Sequence, residues 1–269
     1  MNILAGLPVP EPLAWLAAVA LGVLLLPYVL GPVLIQATHK SRAAPTLIAF
    51  DPDERPAPPA VQEVLDDTEA ALWSCGFEVI EHVALPDLVP NVKAVFVLLT
   101  RPESNDSAMA VAAFAASGAT PMKRYYVEFA TEYADGFELC TNNGTDESAY
   151  CPLPHKRVLQ CDFLRDPEAL WRFHERAAQE FGTGPKKPVP TRQSALEHLR
   201  QGMLKEHTDQ IAVGWLWHDE ENEAFRPTWK GACLMTWKLC WPVSLIRRTA
   251  RRKRAKALMQ EWDLTEKTG

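Results

Sequence analysis

The chain has 269 residues, a formal net charge of −6 and an apolar share of 47%, enough for one membrane segment and one sizeable domain. The charge is unevenly divided. From Pro227 onward ten Lys and Arg face three acids, a net +7 that leaves −13 on the preceding part. An acidic body disfavours non-specific nucleic-acid binding, which depends on basic side chains neutralising phosphates.

Residues 13–38 form a run of 26 positions without a formally charged side chain. A helix needs about 20 apolar residues to cross the hydrocarbon core, so 13–37 is expected to be a single transmembrane helix behind a short tail, 1–12. Pro27 and Pro32, with Gly22 and Gly31, imply a kink, because proline removes a backbone donor and crowds the preceding turn. Within a membrane, neighbouring helices, hydroxyls or water satisfy the freed carbonyls. An interfacial or core helix ending at Pro27 and a cleaved signal are the alternatives, and the signal lacks a basic segment ahead of its apolar run. Glu11 is the only charged residue before the run, and Lys40 and Arg42 follow it. The positive-inside tendency then puts the body in the cytoplasm, an organisation similar to that of single-pass bacterial inner-membrane proteins.

Residues 38–57 read as a linker and a first strand, 46–50. A helix is expected from Pro59, with Val61, Val64, Leu65, Thr68, Leu72 and Cys75 at helical spacing and Gly76 as a left-handed cap. Residues 77–85 and 94–100 read as strands, the second buried on both faces. Residues 108–116 return as a strand or, given their alanines, as a helix. Residues 124–133 alternate, with Tyr125, Val127 and Phe129 on one side, and meet 137–141 across Asp135-Gly136, a strong hairpin signal.

Helices follow. Asp166 suits an N-cap and Pro167 the first helical position. Leu170, Phe173, Ala177 and Phe181 then share a face, and Gly182 closes the helix. Thr191 is placed to cap a second helix with Leu196, Leu199, Met203 and Ile211 inward. Strands followed by helices describe an α+β body over 58–226 with a mainly antiparallel sheet and packed helices.

Residues 229–246 are apolar and tryptophan-rich, but Lys230, Lys238 and Pro242 argue against a second span. Trp229, Trp237 and Trp241 fit the headgroup boundary, so 227–246 is expected to lie at the membrane interface. Arg247, Arg248, Arg251, Arg252, Lys253, Arg254 and Lys256 follow within ten positions. Such a cluster beside an apolar segment reads as contact with anionic lipid of the inner leaflet, each charge contributing about 1 kcal/mol, on a basic C-terminal helix and tail, 247–269. An acidic protein, a second copy of the chain and nucleic acid are the less favoured partners. Pairing with the acidic stretch around Asp219 to Glu223 would instead mask the run within the chain.

The sequence holds no phosphate-binding loop, nucleophile elbow, zincin helix or calcium loop. Six cysteines are irregularly spaced, and Cys140, Cys151, His155 and Cys161 stand at intervals that match no common zinc site. Free thiols in a reducing compartment are expected, with no cofactor and no metal. Glu128, Glu132 and Asp135 are the closest approach to an acid–base set, the solvated face of a sheet being their plainer reading. Asn105 and Asn143 head glycosylation acceptors that gain meaning only if the body lies outside. The expectation is a non-enzymatic assembly, scaffold or sensing component anchored in the membrane. The alternative is a membrane-bound enzyme of hydrolase type, whose sign would be a pocket lined by Tyr125, Glu128, Glu132 and His155 with shifted carboxylates.

Overall fold

The structure is a computed structural model that describes residues 11–54, 57–89, 92–115 and 124–264. The tail 1–12 and the end of the basic tail fall almost wholly outside the described residues. Helix α1 (Glu11–Thr38) runs through both prolines. Its stretch Ala14–Thr38 is long and apolar enough to cross a membrane, and is the one such helix among the described residues.

Strands β1 (Ser41–Arg42) and β2 (Ile48–Ala49) are short and diverge into two different sheets. Helix α2 (Pro59–Ser74) opens on a proline, whose fixed φ suits the first helical turn, and buries Val61, Leu65, Thr68 and Leu72. Gly76, at φ +83°, turns the chain into the sheet. There β3 (Glu78–Val89), β4 (Val92–Arg101), β5 (Asp106–Ala115), β6 (Arg124–Glu132) and β7 (Glu138–Asn142) follow as antiparallel neighbours. The alanine-rich β5 is a strand: it pairs along nearly its whole length with β4 and β6, and tertiary pairing overrides its helical propensity. At the β6–β7 hairpin Gly136 takes φ +88° and the Asp135 carboxylate accepts from the Phe137 amide at 3.0 Å.

The next strand was not expected. Strand β8 (Lys156–Gln160) pairs parallel to β7, so the seven-stranded sheet, in the order β2-β3-β4-β5-β6-β7-β8, is mixed. Helix α3 (Pro167–Phe181) is capped by Asp166, whose carboxylate accepts from the amides of Glu168 and Ala169. Helix α4 (Ala195–Ala212) starts after Ser194, not at Thr191, because Thr191 is held in the preceding turn through Ser194. A second unexpected element is a three-stranded antiparallel sheet, in which β10 (Ala224–Pro227) lies between β1 and β9 (Leu216–Asp219). Helices α5 (Trp229–Leu239) and α6 (Val243–Glu261) complete an α+β fold.

The large sheet has two covered faces. Leu65 and Leu72 of α2, Leu170 and Phe173 of α3 and Ala255 of α6 pack with Val97, Ala110 and Phe129 on one side. On the other, Leu196, Leu199 and Met203 of α4 cover Val83, Phe96 and Val111, with Tyr126 of β6 at the edge of the cluster.

Candidate ligand cavity and membrane-proximal surface

Helix α5 is capped by Thr228, whose hydroxyl accepts from the Gly231 amide at 2.9 Å. It packs against the last third of α1. A Cβ on Gly31 would come within 2.5 Å of the Thr236 methyl carbon, so glycine permits this approach. The Tyr28 hydroxyl donates to the Trp241 carbonyl at 2.9 Å, and its ring lies 5.5 Å from that of Trp237. Ile35 joins the cluster of Trp215, Leu216, Phe225 and Met235. Elsewhere on α1, Val19, Leu21, Val23, Leu26, Val29 and Leu34 are all more than half exposed. Trp229, Trp237 and Trp241 are each about 59% exposed, as are Leu245 and Ile246 to a similar degree. Residues 229–246 thus fold as helix α5 and the first turn of α6.

The basic run lies on α6, and four of its arginines are engaged by the body. Arg247 donates to Glu147 at 3.1 Å, and Arg251 reaches the same carboxylate. Arg248 donates twice to one oxygen of Asp162, at 3.1 and 2.9 Å, with Arg252 at 3.7 Å from the other. The Arg252 and Lys256 cations lie over the Phe163 ring. Lys253 and Arg254 are exposed. The acidic stretch near Asp219 is not the masking partner, because Asp219 is occupied by Arg226 at 3.2 Å and by Asn222. Two carboxylates serve four guanidiniums, so α6 keeps a net positive charge.

Parallel pairing of β7 and β8 requires a long crossover, and residues 143–155 provide it. The crossover lies, with Glu206 of α4, against Tyr126 and Glu128 of β6, Asn142 of β7 and Lys156 and Val158 of β8. It is fixed at both ends: the Asn143 side chain accepts from the Val127 amide at 2.8 Å, and Gln210 bonds both backbone groups of Cys151 at 2.8 and 3.0 Å. Gln160 donates to the Asp146 carbonyl between them. Beneath this roof is a cavity of about 530 Å³ with Tyr126, Glu128 and Asn142 on its floor.

Charge in the cavity is divided between two sides. Lys156 lies 3.0 Å from Glu138 and 3.3 Å from Glu206. Glu128 accepts from Asn142 at 3.0 Å, and burial raises its carboxyl above the usual range, with Lys156 opposing. Opposite stand Lys238, Arg247 and Arg251. Lys238, only 6% exposed, donates to the Tyr150 carbonyl, and its ammonium lies 5.6 Å from the Trp215 ring centre. Burial pushes it down to about 8, with Arg247 and Arg251 adding to the effect and Glu147 opposing it.

Of the carboxylates and neighbours singled out from sequence, only Glu128 lines this cavity. Glu132 pairs with Lys187 and His198 at 3.5 and 3.4 Å, and Asp135 belongs to the hairpin turn. Tyr125 points to the opposite face, hydrogen-bonded to Thr68, and His155 pairs with Asp209 at 3.0 Å. No signal in the sequence marked Lys238 as a cavity residue; there it counted only as a charge against a second span.

A second set of buried ions lies on the other face of the sheet. His174, fully buried on α3, is hydrogen-bonded through Nε2 to Thr131 and through Nδ1 to Thr141, at 2.9 and 3.0 Å. Thr131 donates to Asp106, whose two oxygens each accept from Lys186 at 2.8 Å. The rings of Phe129 and Trp171 close over the imidazole.

All six cysteines are unpaired, and no group of three or more His, Cys, Asp or Glu is placed to hold a metal among the described residues. Asn143 is 3% exposed and committed to the Val127 amide, so the folded chain has no room for a glycan there. No family model, characterised protein or solved structure matches the chain.

Proposed function

We propose that the chain is a single-pass inner-membrane protein whose α+β body lies in the cytoplasm and acts as a non-enzymatic assembly or sensing component. The observation that carries this reading is the contrast along α1. Its base is locked to α5 through Gly31, Tyr28 and Ile35, while Val19, Leu21, Val23, Leu26, Val29 and Leu34 stand more than half exposed. Removing a large apolar side chain from water stabilises by about 1.5–3 kcal/mol, so such a helix calls for hydrocarbon around it. The seam with α5 would hold the body in one pose, with Trp229, Trp237 and Trp241 at the headgroups and the net positive α6 close to anionic lipid.

In cells, the full chain should stay in the membrane pellet through alkaline carbonate, and Leu24→Arg/Leu25→Arg should release it. Cys233, the exposed thiol of α5, should react with a membrane-impermeant reagent only after permeabilisation. Carbonate release of the wild type would contradict the anchor, and labelling of intact cells would contradict the orientation. Lys253→Glu/Arg254→Glu, which leaves the four engaged arginines in place, should weaken binding of the body to anionic vesicles; unchanged binding would remove the lipid contact.

A further inference from the structure

The Lys238 side of the cavity carries more positive charge than the protein neutralises. Lys238, Arg247 and Arg251 converge there, and Glu147, its side chain 8% exposed, is the carboxylate that both arginines share. Lys238 has only the Tyr150 carbonyl for a hydrogen bond and forms no ion pair among the described residues. Three cations against one carboxylate leave two positive charges at a wall where Lys238 is buried and the two arginines are half-buried. Buried charge is costly unless it is paired, and a group with two negative charges would complete the balance.

The shape of the cavity agrees with a ligand rather than a packing defect. At about 530 Å³ it falls within the usual size of small-molecule sites. Its roof is fixed at both ends by Asn143 and Gln210, so the site is formed in advance. Tyr126, Leu153 and Val158 add apolar lining, and Glu128 with Asn142 offers polar contacts on the floor.

We propose that this cavity binds a phosphate monoester, its dianionic head between Lys238, Arg247 and Arg251 and its uncharged body along Tyr126, Leu153 and Val158. Guanidinium forks match phosphate oxygens in pairs, and the lysine adds a point charge. A carboxylate would neutralise only half of the excess. The inference rests on the cavity alone and stands whichever side of a membrane the body occupies. A lipid phosphate and a soluble metabolite share this head chemistry, and the test separates them.

The probes are glycerol 3-phosphate, hexyl phosphate and hexanoate, titrated calorimetrically into the full chain in neutral phosphatidylcholine nanodiscs. Both phosphates should bind, and hexanoate at least tenfold more weakly than hexyl phosphate. A tenfold preference for hexyl phosphate over glycerol 3-phosphate identifies a lipid-like ligand, and parity a soluble one. Lys238→Met should cost at least tenfold, while Arg172→Ala, at an exposed arginine of α3 on the opposite face of the sheet, should leave affinity unchanged. Because Lys238→Met is a change at a buried position, wild-type protein provides a second readout: hexyl phosphate should protect Lys238 from amine acylation at pH 8, followed by mass spectrometry. Absence of phosphate binding, or binding that neither depends on nor protects Lys238, would overturn the proposal.

Discussion

The two sets of buried ions on opposite faces of the large sheet differ in how completely the protein satisfies them. Around His174 every polar atom named above has a partner: two threonine hydroxyls hold the imidazole, and one carboxylate takes both Thr131 and Lys186. Aromatic rings seal it. Around Lys238 the account is open, with three cations, one carboxylate and a cavity in front of them. The first arrangement ties β5, β6, β7, α3 and the segment carrying Lys186 together. The second stores an electrostatic deficit that a ligand can relieve. Burial of charge alone does not mark a function; what distinguishes the proposed site is unpaired charge beside a cavity.

This comparison is broken most directly at Asp106. Asp106→Ala removes the counter-ion of Lys186 and an acceptor of Thr131, and breaking a buried pair costs about 3 kcal/mol or more. Denaturant unfolding of the full chain should register that loss, and a change below about 1 kcal/mol would show the cluster to be dispensable. The pH dependence should be nearly as large. Burial holds His174 down to about 4, with Asp106 opposing and Lys186 adding, against about 6.5 in an unfolded chain. The folded value is the lower one, so the contribution is complete above about pH 6.5. It is lost as pH falls towards 4, because the unfolded chain takes up a proton that the folded chain refuses. The loss reaches about 3 kcal/mol, and His174→Gln should flatten the stability–pH slope in that window. The smallest effect belongs to Lys238→Met without ligand: replacing an unpaired buried ammonium by an apolar chain of similar length should stabilise by up to about 1 kcal/mol or change nothing. A loss near 3 kcal/mol would make Lys238 a structural ion like Asp106.

Much of the fold was legible from local pattern. Helices α2 and α3 announced themselves through apolar spacing and through Gly76 and Asp166, and the β6–β7 hairpin through Asp135-Gly136. What failed was pairing over distance. Strand β8 is five residues with two charges, and its parallel partner lies across a crossover that carries no periodicity. That one omission hid the cavity too, since the crossover is its roof. Likewise β9 and β10 are four residues each around an acidic turn, and the turn's charge suggested a partner for α6 that geometry gives to Glu147 and Asp162. Lys238 was visible as a residue, but its inward aim depends on α1 covering the other side of α5.

The proposed function requires α1 to lie in a bilayer with α5 at its surface. Tryptophan fluorescence of the full chain in phosphatidylcholine–phosphatidylglycerol vesicles, quenched by lipids brominated near the headgroup or near the chain end, measures this depth. Shallow bromines should quench more than deep ones, and replacing Trp229, Trp237 and Trp241 by Phe should remove all of the quenching except that of Trp15. Tryptophans untouched by bromine at either depth would contradict the account.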